Sequence, residues 1–224
     1  MRRSSSRFAI GFVVLAALAS AATVAALGAA TGIDLSSGGI GSPPPDFEFR
    51  RADNRADEWT VVADPTASGG LAIERIGREP SEDRHSLAIY MPLSLKNADV
   101  SASFNLVSGA FPNAGIALRL ASPDDYLLVV ATSLEGRVDL FRVVDGNEER
   151  IAGVEADVMA DHWQLIRVVV EDDHITVWLD HQLLFQAWDR TFLKDGRIAL
   201  WAEEDSTTRF HRIEITALPY TEHD

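Results

Sequence analysis

Residues 163–187 read WQLIRVVVEDDHITVWLDHQLLFQA. Three runs rich in Val, Ile, Leu and Phe (163–170, 175–179 and 183–187) are divided by two short polar clusters, Glu171-Asp172-Asp173 and Asp180-His181-Gln182. Apolar, β-branched runs of this length bounded by turn-forming residues are strands, and gaps this short leave room only for a chain reversal. The stretch predicts two consecutive β-hairpins.

The same pattern extends outward on both sides. Segments 71–76, 86–90, 99–106, 114–120, 126–132, 138–144, 196–203 and 210–217 are further predicted strands, parted by Gly, Asp, Asn and Pro clusters, with no amphipathic helical period between them. Many short strands in series predict an all-β, antiparallel sandwich or barrel over residues 46–218, with 219–224 as a tail. A chain of 224 residues, 46% of them hydrophobic, has material for one good core and hardly for two domains.

Side chains alternate along a strand, so the sequence also assigns faces. In Ile175-Thr176-Val177-Trp178-Leu179 the aliphatic set is Ile175, Val177 and Leu179, which sends Trp178 to the opposite side. In Ile198-Ala199-Leu200-Trp201-Ala202 the same reasoning sends Trp201 away from Ile198 and Leu200. Both tryptophans are expected off the core, on one solvent-reachable face, where the apolar C–H face of a sugar ring stacks on an indole. The competing reading makes each a structural anchor, packed under a loop or across a strand pair.

At the N-terminus, MRRSSSRF supplies positive charge and residues 8–27 then run without a charged side chain. Residues 1–30 are a targeting segment, either a signal peptide cleaved near Ala26-Leu27-Gly28 or Gly28-Ala29-Ala30, or an uncleaved membrane anchor. The consensus context around Arg2-Arg3 is poor for twin-arginine export, which favours the general secretory route. Either way the remainder is expected outside the cytoplasmic membrane (secreted, periplasmic or anchored facing outward), with membrane contact only through an uncleaved segment. Residues 31–45, TGIDLSSGGIGSPPP, have the composition of a linker.

The formal charge is −14, and the first 33 residues carry three arginines and no acid, so the body of the chain is more acidic still. Such a body repels phosphate backbones, which excludes nucleic acid as a natural partner. Cysteine is absent, so there is no disulfide, no thiolate nucleophile, no Cys-ligated zinc and no lipidated cysteine. The fold must hold through its core alone.

Within 114–215, several stretches carry a family likeness: Ala114-Gly115-Ile116-Ala117-Leu118-Arg119, Asp125-Tyr126, Leu140-Phe141-Arg142-Val143-Val144-Asp145-Gly146, His162-Trp163-Gln164-Leu165-Ile166-Arg167-Val168, Asp189-Arg190-Thr191-Phe192 and Gly196-Arg197-Ile198-Ala199-Leu200-Trp201. They resemble the bacterial 3-keto-disaccharide hydrolase domain, formerly a domain of unknown function, and more broadly the laminin-G-like and glycoside hydrolase family 16-like jelly rolls. The resemblance implies a concanavalin A-like sandwich and a carbohydrate-related role. Many relatives place an arginine and an asparagine on the strand after an Asn-Tyr-Tyr motif, where this chain has Val130 and Thr132. They also turn the later hairpin with Asp-Gly, whereas Asp180 is followed here by His181, which needs a backbone angle that favours glycine or a different turn.

A retaining glucanase of that kind holds its two carboxylates in a Glu-x-Asp-x-x-Glu strand. The nearest approach, Glu155-Ala156-Asp157-Val158-Met159-Ala160, lacks the last carboxylate and reads as a loop. No nucleophile elbow, zinc helix or phosphate-cradling glycine loop is present, and His162, His174 and His181 sit at no ligand spacing. Asp124-Asp125, Asp172-Asp173 and Glu203-Glu204-Asp205 are acidic clusters that either hold calcium or form solvated turns, the latter preferred. No cofactor is expected. The sequence thus points to a noncatalytic module that contacts a glycan or glycoconjugate through Trp178, Trp201, Arg119 and Tyr126. The rival readings are a glycoside or 3-keto-glycoside hydrolase and an envelope protein-interaction domain.

Overall fold

The computed structural model describes residues 28–51, 58–75, 85–203 and 205–220. The expected targeting segment, apart from 28–30, lies outside the described residues. The described chain is built from strands and one short 3-10 turn, Leu35–Gly38. In chain order the strands are β1 (Thr31–Gly32), β2 (Phe47–Arg51), β3 (Trp59–Ala63), β4 (Leu71–Arg75), β5 (His85–Leu95), β6 (Ala98–Ser108), β7 (Asn113–Ser122), β8 (Asp125–Thr132), β9 (Arg137–Val144), β10 (Asn147–Glu155), β11 (Gln164–Glu171), β12 (His174–Leu179), β13 (Gln182–Trp188), β14 (Gly196–Glu203) and β15 (Thr207–Ala217).

They form two antiparallel sheets. The first runs β13-β12-β11-β6-β15-β4-β3, with β1 added beside β15, and the second runs β10-β9-β8-β7-β14-β5-β2. Neighbours distant in sequence (β6 beside β15, β7 beside β14) are what a jelly roll requires, because its long connections pass between sheets. The two inner faces close on one core in which Val100, Phe104, Ile166, Val168, Val177 and Phe210 of the first sheet meet Ile116, Leu118, Leu127, Val129, Leu140 and Leu200 of the second. The second sheet also carries a separate apolar cluster on its outer side, formed by Leu87, Ile89, Ala117, Leu128, Val130 and Trp201.

Both hairpins of 163–187 are present. β11 returns into β12 with Glu171 opposite His174, and β12 into β13 with Leu179 opposite Gln182. Asp180 and His181 both take positive φ, 46° and 67°, the pattern of a type I′ turn closed without glycine. The Asp180 carboxylate compensates by accepting hydrogen bonds from Leu165 N at 2.7 Å and Gln164 Nε2 at 2.9 Å.

Residues 31–45 are not a free linker. β1 pairs with β15, Ile33 N donates to Ile213 O, and Gly41 and Ser42 exchange backbone bonds with Val61. Leu35 is buried in the main core. Composition misleads here because so many glycines and prolines surround a single apolar anchor, and that anchor is what docks the segment. The strands β2, β3 and β10 were also missed. β10, NEERIAGVE, is a charged edge strand that buries little on either side, so its sequence carries no apolar period.

Candidate functional site

The outer face of the first sheet is polar, and strand register builds it. One row across the sheet pairs Trp178 (β12) with Arg167 (β11), Arg167 with Ser101 (β6), and Ser101 with Glu214 (β15). The next row places Val169 opposite Asp99 and Asp99 opposite Thr216, and the row on the other side runs Leu165, Ser103 and His211. Paired residues share a face, so these polar groups meet although up to 117 positions separate them in sequence.

Arg167 is held in two directions. Its Nε and Nη2 donate to the two carboxylate oxygens of Asp99 at 2.8 and 2.6 Å, and its guanidinium lies 4.7 Å from the centre of the Trp178 ring. The carboxylate raises the Arg167 pKa and fixes the charge. A bidentate ion pair with a cation–π contact gives Trp178 a defined orientation, with one ring face covered by the guanidinium.

β15 breaks register between His211 and Glu214, where an extra residue is accommodated in the strand. Arg212 is the residue at positive φ, 47°, an angle costly for any side chain with a Cβ. The bulge brings Arg212 to the outer face between His211 and Glu214. There, with Asp99, Ser101, Arg167, His181 and Glu214, it lines a depression of about 320 Å3. Among the described residues the other two arginines on this face are paired, Arg167 with Asp99 and Arg209 with Glu74 and Asp64. Arg212 is exposed and has no carboxylate at ion-pair distance among the described residues.

At the His211 end the face is partly covered by packing. His211 is buried and meets Trp163 edge-on at 4.2 Å. Burial, and then the nearby Arg212 charge, hold its pKa down, so the ring is neutral near pH 7. Trp163 Nε1 donates to Thr66 Oγ1 at 2.9 Å, which ties the loop 64–70 over this end.

Of the four residues expected to bind ligand, Trp178 is half-exposed and the other three are buried. Trp201 is 5% exposed and lies in the second sheet, so it does not share a face with Trp178. Alternation was right about each strand, since both indoles point away from the main core. It could not say which sheet each strand joins. The outer face around Trp201 is itself apolar and buried. The ring stacks on His85 at 5.5 Å, and its buried N–H has no hydrogen-bond partner among the described residues. Tyr126 is fully buried, with its hydroxyl 2.9 Å from His85 Nε2 and its pKa pushed up by burial.

Arg119 is 2% exposed and acts as a clamp. It sits at φ 51° in the bulge of β7, and its Nε and Nη1 donate at 2.7 Å to the carbonyls of Lys96 and Phe192. Gly196 is required opposite it, because a Cβ there would stand 2.3 Å from the Arg119 carbonyl carbon.

Two of the acidic clusters are engaged in turns, and Glu204 of the third, Glu203-Glu204-Asp205, lies outside the described residues. Asp125 accepts from Ser122 Oγ and from Asp145 N, Asp172 faces Lys96, and Asp173 pairs with Arg190. Among the described residues no three His, Asp or Glu side chains come together as a metal site. Glu155 ends β10, and Asp157 lies in the loop after it, its carbonyl accepting from Gln164.

Sequence reasoning missed Asp99, Ser101, Arg167, Arg212 and Glu214. The alternation Asp99-Val100-Ser101-Ala102-Ser103 and the outward Glu214 and Thr216 around Ile215 carried a signal, but only strand pairing shows that they adjoin.

Against solved structures, the chain is similar to the carbohydrate-binding module CBM66 from Bacillus subtilis (TM-score 0.59, 15% identity, 75% of this chain and 95% of that one). It is similar also to the cellulose induced protein Cip1 (0.58, 13%, 79% and 94%) and to the Bacillus licheniformis β-glucanase (0.52, 11%, 80% and 96%). The likeness is one of fold. No family model matches the chain, and no curated protein matches it. An antiparallel jelly-roll sandwich is therefore established, while the 3-keto-disaccharide hydrolase family is not.

Proposed function

We propose that this chain is an extracytoplasmic glycan-binding module that takes its ligand on the outer face of the first sheet, without catalysis there. The observation that carries the reading is the row Trp178, Arg167, Ser101, Glu214, with Arg212 raised beside it. Sugars present hydroxyls, each both donor and acceptor, on a ring with apolar C–H patches. The row supplies guanidinium donors, carboxylate acceptors, a hydroxyl that does both, and an indole. The fold likeness to a carbohydrate-binding module supports the reading at the level of architecture. The uncharged segment 8–27 supports an outward location.

The hydrolase reading needs two carboxylates free to exchange protons across a bond. In this depression both oxygens of Asp99 are engaged by Arg167, which leaves Glu214 as the one carboxylate open to a ligand. Titration calorimetry against laminari-, cello- and fructo-oligosaccharides tests the proposal. At least one series is expected to bind, and Trp178→Ala to weaken it about five-fold to a hundred-fold, the range of ~1–3 kcal/mol for a stacked ring, with little loss of stability. Binding indifferent to Trp178, or turnover abolished by Glu214→Gln, would refute it.

A further inference from the structure

Across β15 from the first depression lies a second, of about 280 Å3, walled by Leu35 and Ser36 of the N-terminal arm, Ser68 and Gly69 of the loop over the sheet, and His211 and Arg212 of β15. Arg212 lines both depressions, and it is the residue that the bulge raises at positive φ. The second depression has its own unmet polar demand. His211 is 5% exposed and its Nδ1 is buried without a hydrogen-bond partner. A buried imidazole nitrogen left this way is an unmet hydrogen-bonding group. From Trp178 on β12 across β11, β6 and β15 to the β4 side is four strand spacings, ~19 Å, which is longer than one sugar ring.

We infer that the ligand is an oligosaccharide laid across the strands and occupying both depressions, with Arg212 placed where the linkage between the two halves must cross. This rests on the glycan-binding reading above and adds to it a minimum ligand length and a residue that reads the join. Five N–H donors on a planar fork reach oxygens on both sides of the ridge, which a lysine at the same place does not. The strained angle is retained because it aims that fork. A glycine there relaxes the backbone and removes the fork together.

The test is calorimetry of the full-length protein with laminari-, cello- and fructo-oligosaccharides of one to six units. Affinity for the recognised series should climb about ten-fold or more between the disaccharide and the tetrasaccharide and then level off. Ser68→Tyr, which fills the second depression from an exposed loop position, should reduce the tetrasaccharide to disaccharide affinity and leave the disaccharide unchanged. Arg212→Gly should weaken the tetrasaccharide at least ten-fold with a melting temperature equal to or above that of the parent. Affinity that does not depend on length, or a Ser68→Tyr protein that binds long chains normally, would overturn the two-depression site while leaving glycan binding intact. Failure of every series to bind would overturn both.

Discussion

Arg119 shows how one side chain substitutes for loop packing in this molecule. Its guanidinium is taken out of water, which lowers its pKa, and it is repaid by carbonyls from the β5–β6 turn and from the loop before β14. Arg119→Lys replaces a fork that fits two divergent carbonyls with a point charge that cannot reach both. A loss of about 2–3 kcal/mol is expected in urea unfolding, the size of one or two unmade charge-assisted bonds, and an unchanged midpoint would show that the clamp is dispensable. His85 gives a pH signature. Burial lowers its pKa to about 4, so below pH ~6.5 the unfolded chain takes up a proton that the folded chain refuses. Stability from this group is therefore present above pH ~6.5 and falls with pH through that window, by about 3 kcal/mol near pH 4. Unfolding curves from pH 7 to 4 should be flatter for His85→Gln than for the parent. Parallel curves would exclude His85 as the source.

At the scale of elements, the β12–β13 hairpin closes on two residues at positive φ, and His181 is the one whose side chain lines the depression. Its imidazole gives up conformational comfort to stand there. His181→Gly should raise the melting midpoint by ~0.5–1 kcal/mol of stability and, if the ligand touches this rim, weaken binding. A destabilised variant would mean that the turn depends on the histidine itself. The hairpin also shows what the sequence could tell. Its runs, its turns and the strained angle after Asp180 were legible because turn chemistry is local. The sheet membership of β14 was not, and Trp201 was misplaced with it. A clue lay in Tyr126–Ala131 (YLLVVA), an unbroken apolar run of the kind found where a strand is buried on both faces, which gives β8 an apolar outer side that continues across β7 to β14. Arg212 was invisible for another reason. Nothing in Phe210-His211-Arg212-Ile213 marks a bulge, because the extra residue is defined by what β6 places opposite it.

Over the whole molecule, the folded unit begins earlier than composition suggests, and the candidate site depends on that. The N-terminal arm adds β1 to the exposed side of β15, buries Leu35, and forms a wall of the second depression. A chain starting at residue 46, where the hydrophobic pattern begins, loses all three. Leu35 alone contributes roughly 1.5–3 kcal/mol, and the backbone bonds of Ile33, Gly41 and Ser42 add about 0.5–1.5 kcal/mol each before the entropy of ordering the arm is subtracted. A chain of residues 46–224 should therefore be about 2–4 kcal/mol less stable than one of 28–224 in urea, with a smaller dependence on denaturant because less surface is exposed on unfolding. Neither should respond to reductant, since there is no cysteine to reduce. Equal midpoints would mean that the arm rests on the sandwich without stabilising it, and 31–45 would then be a linker after all.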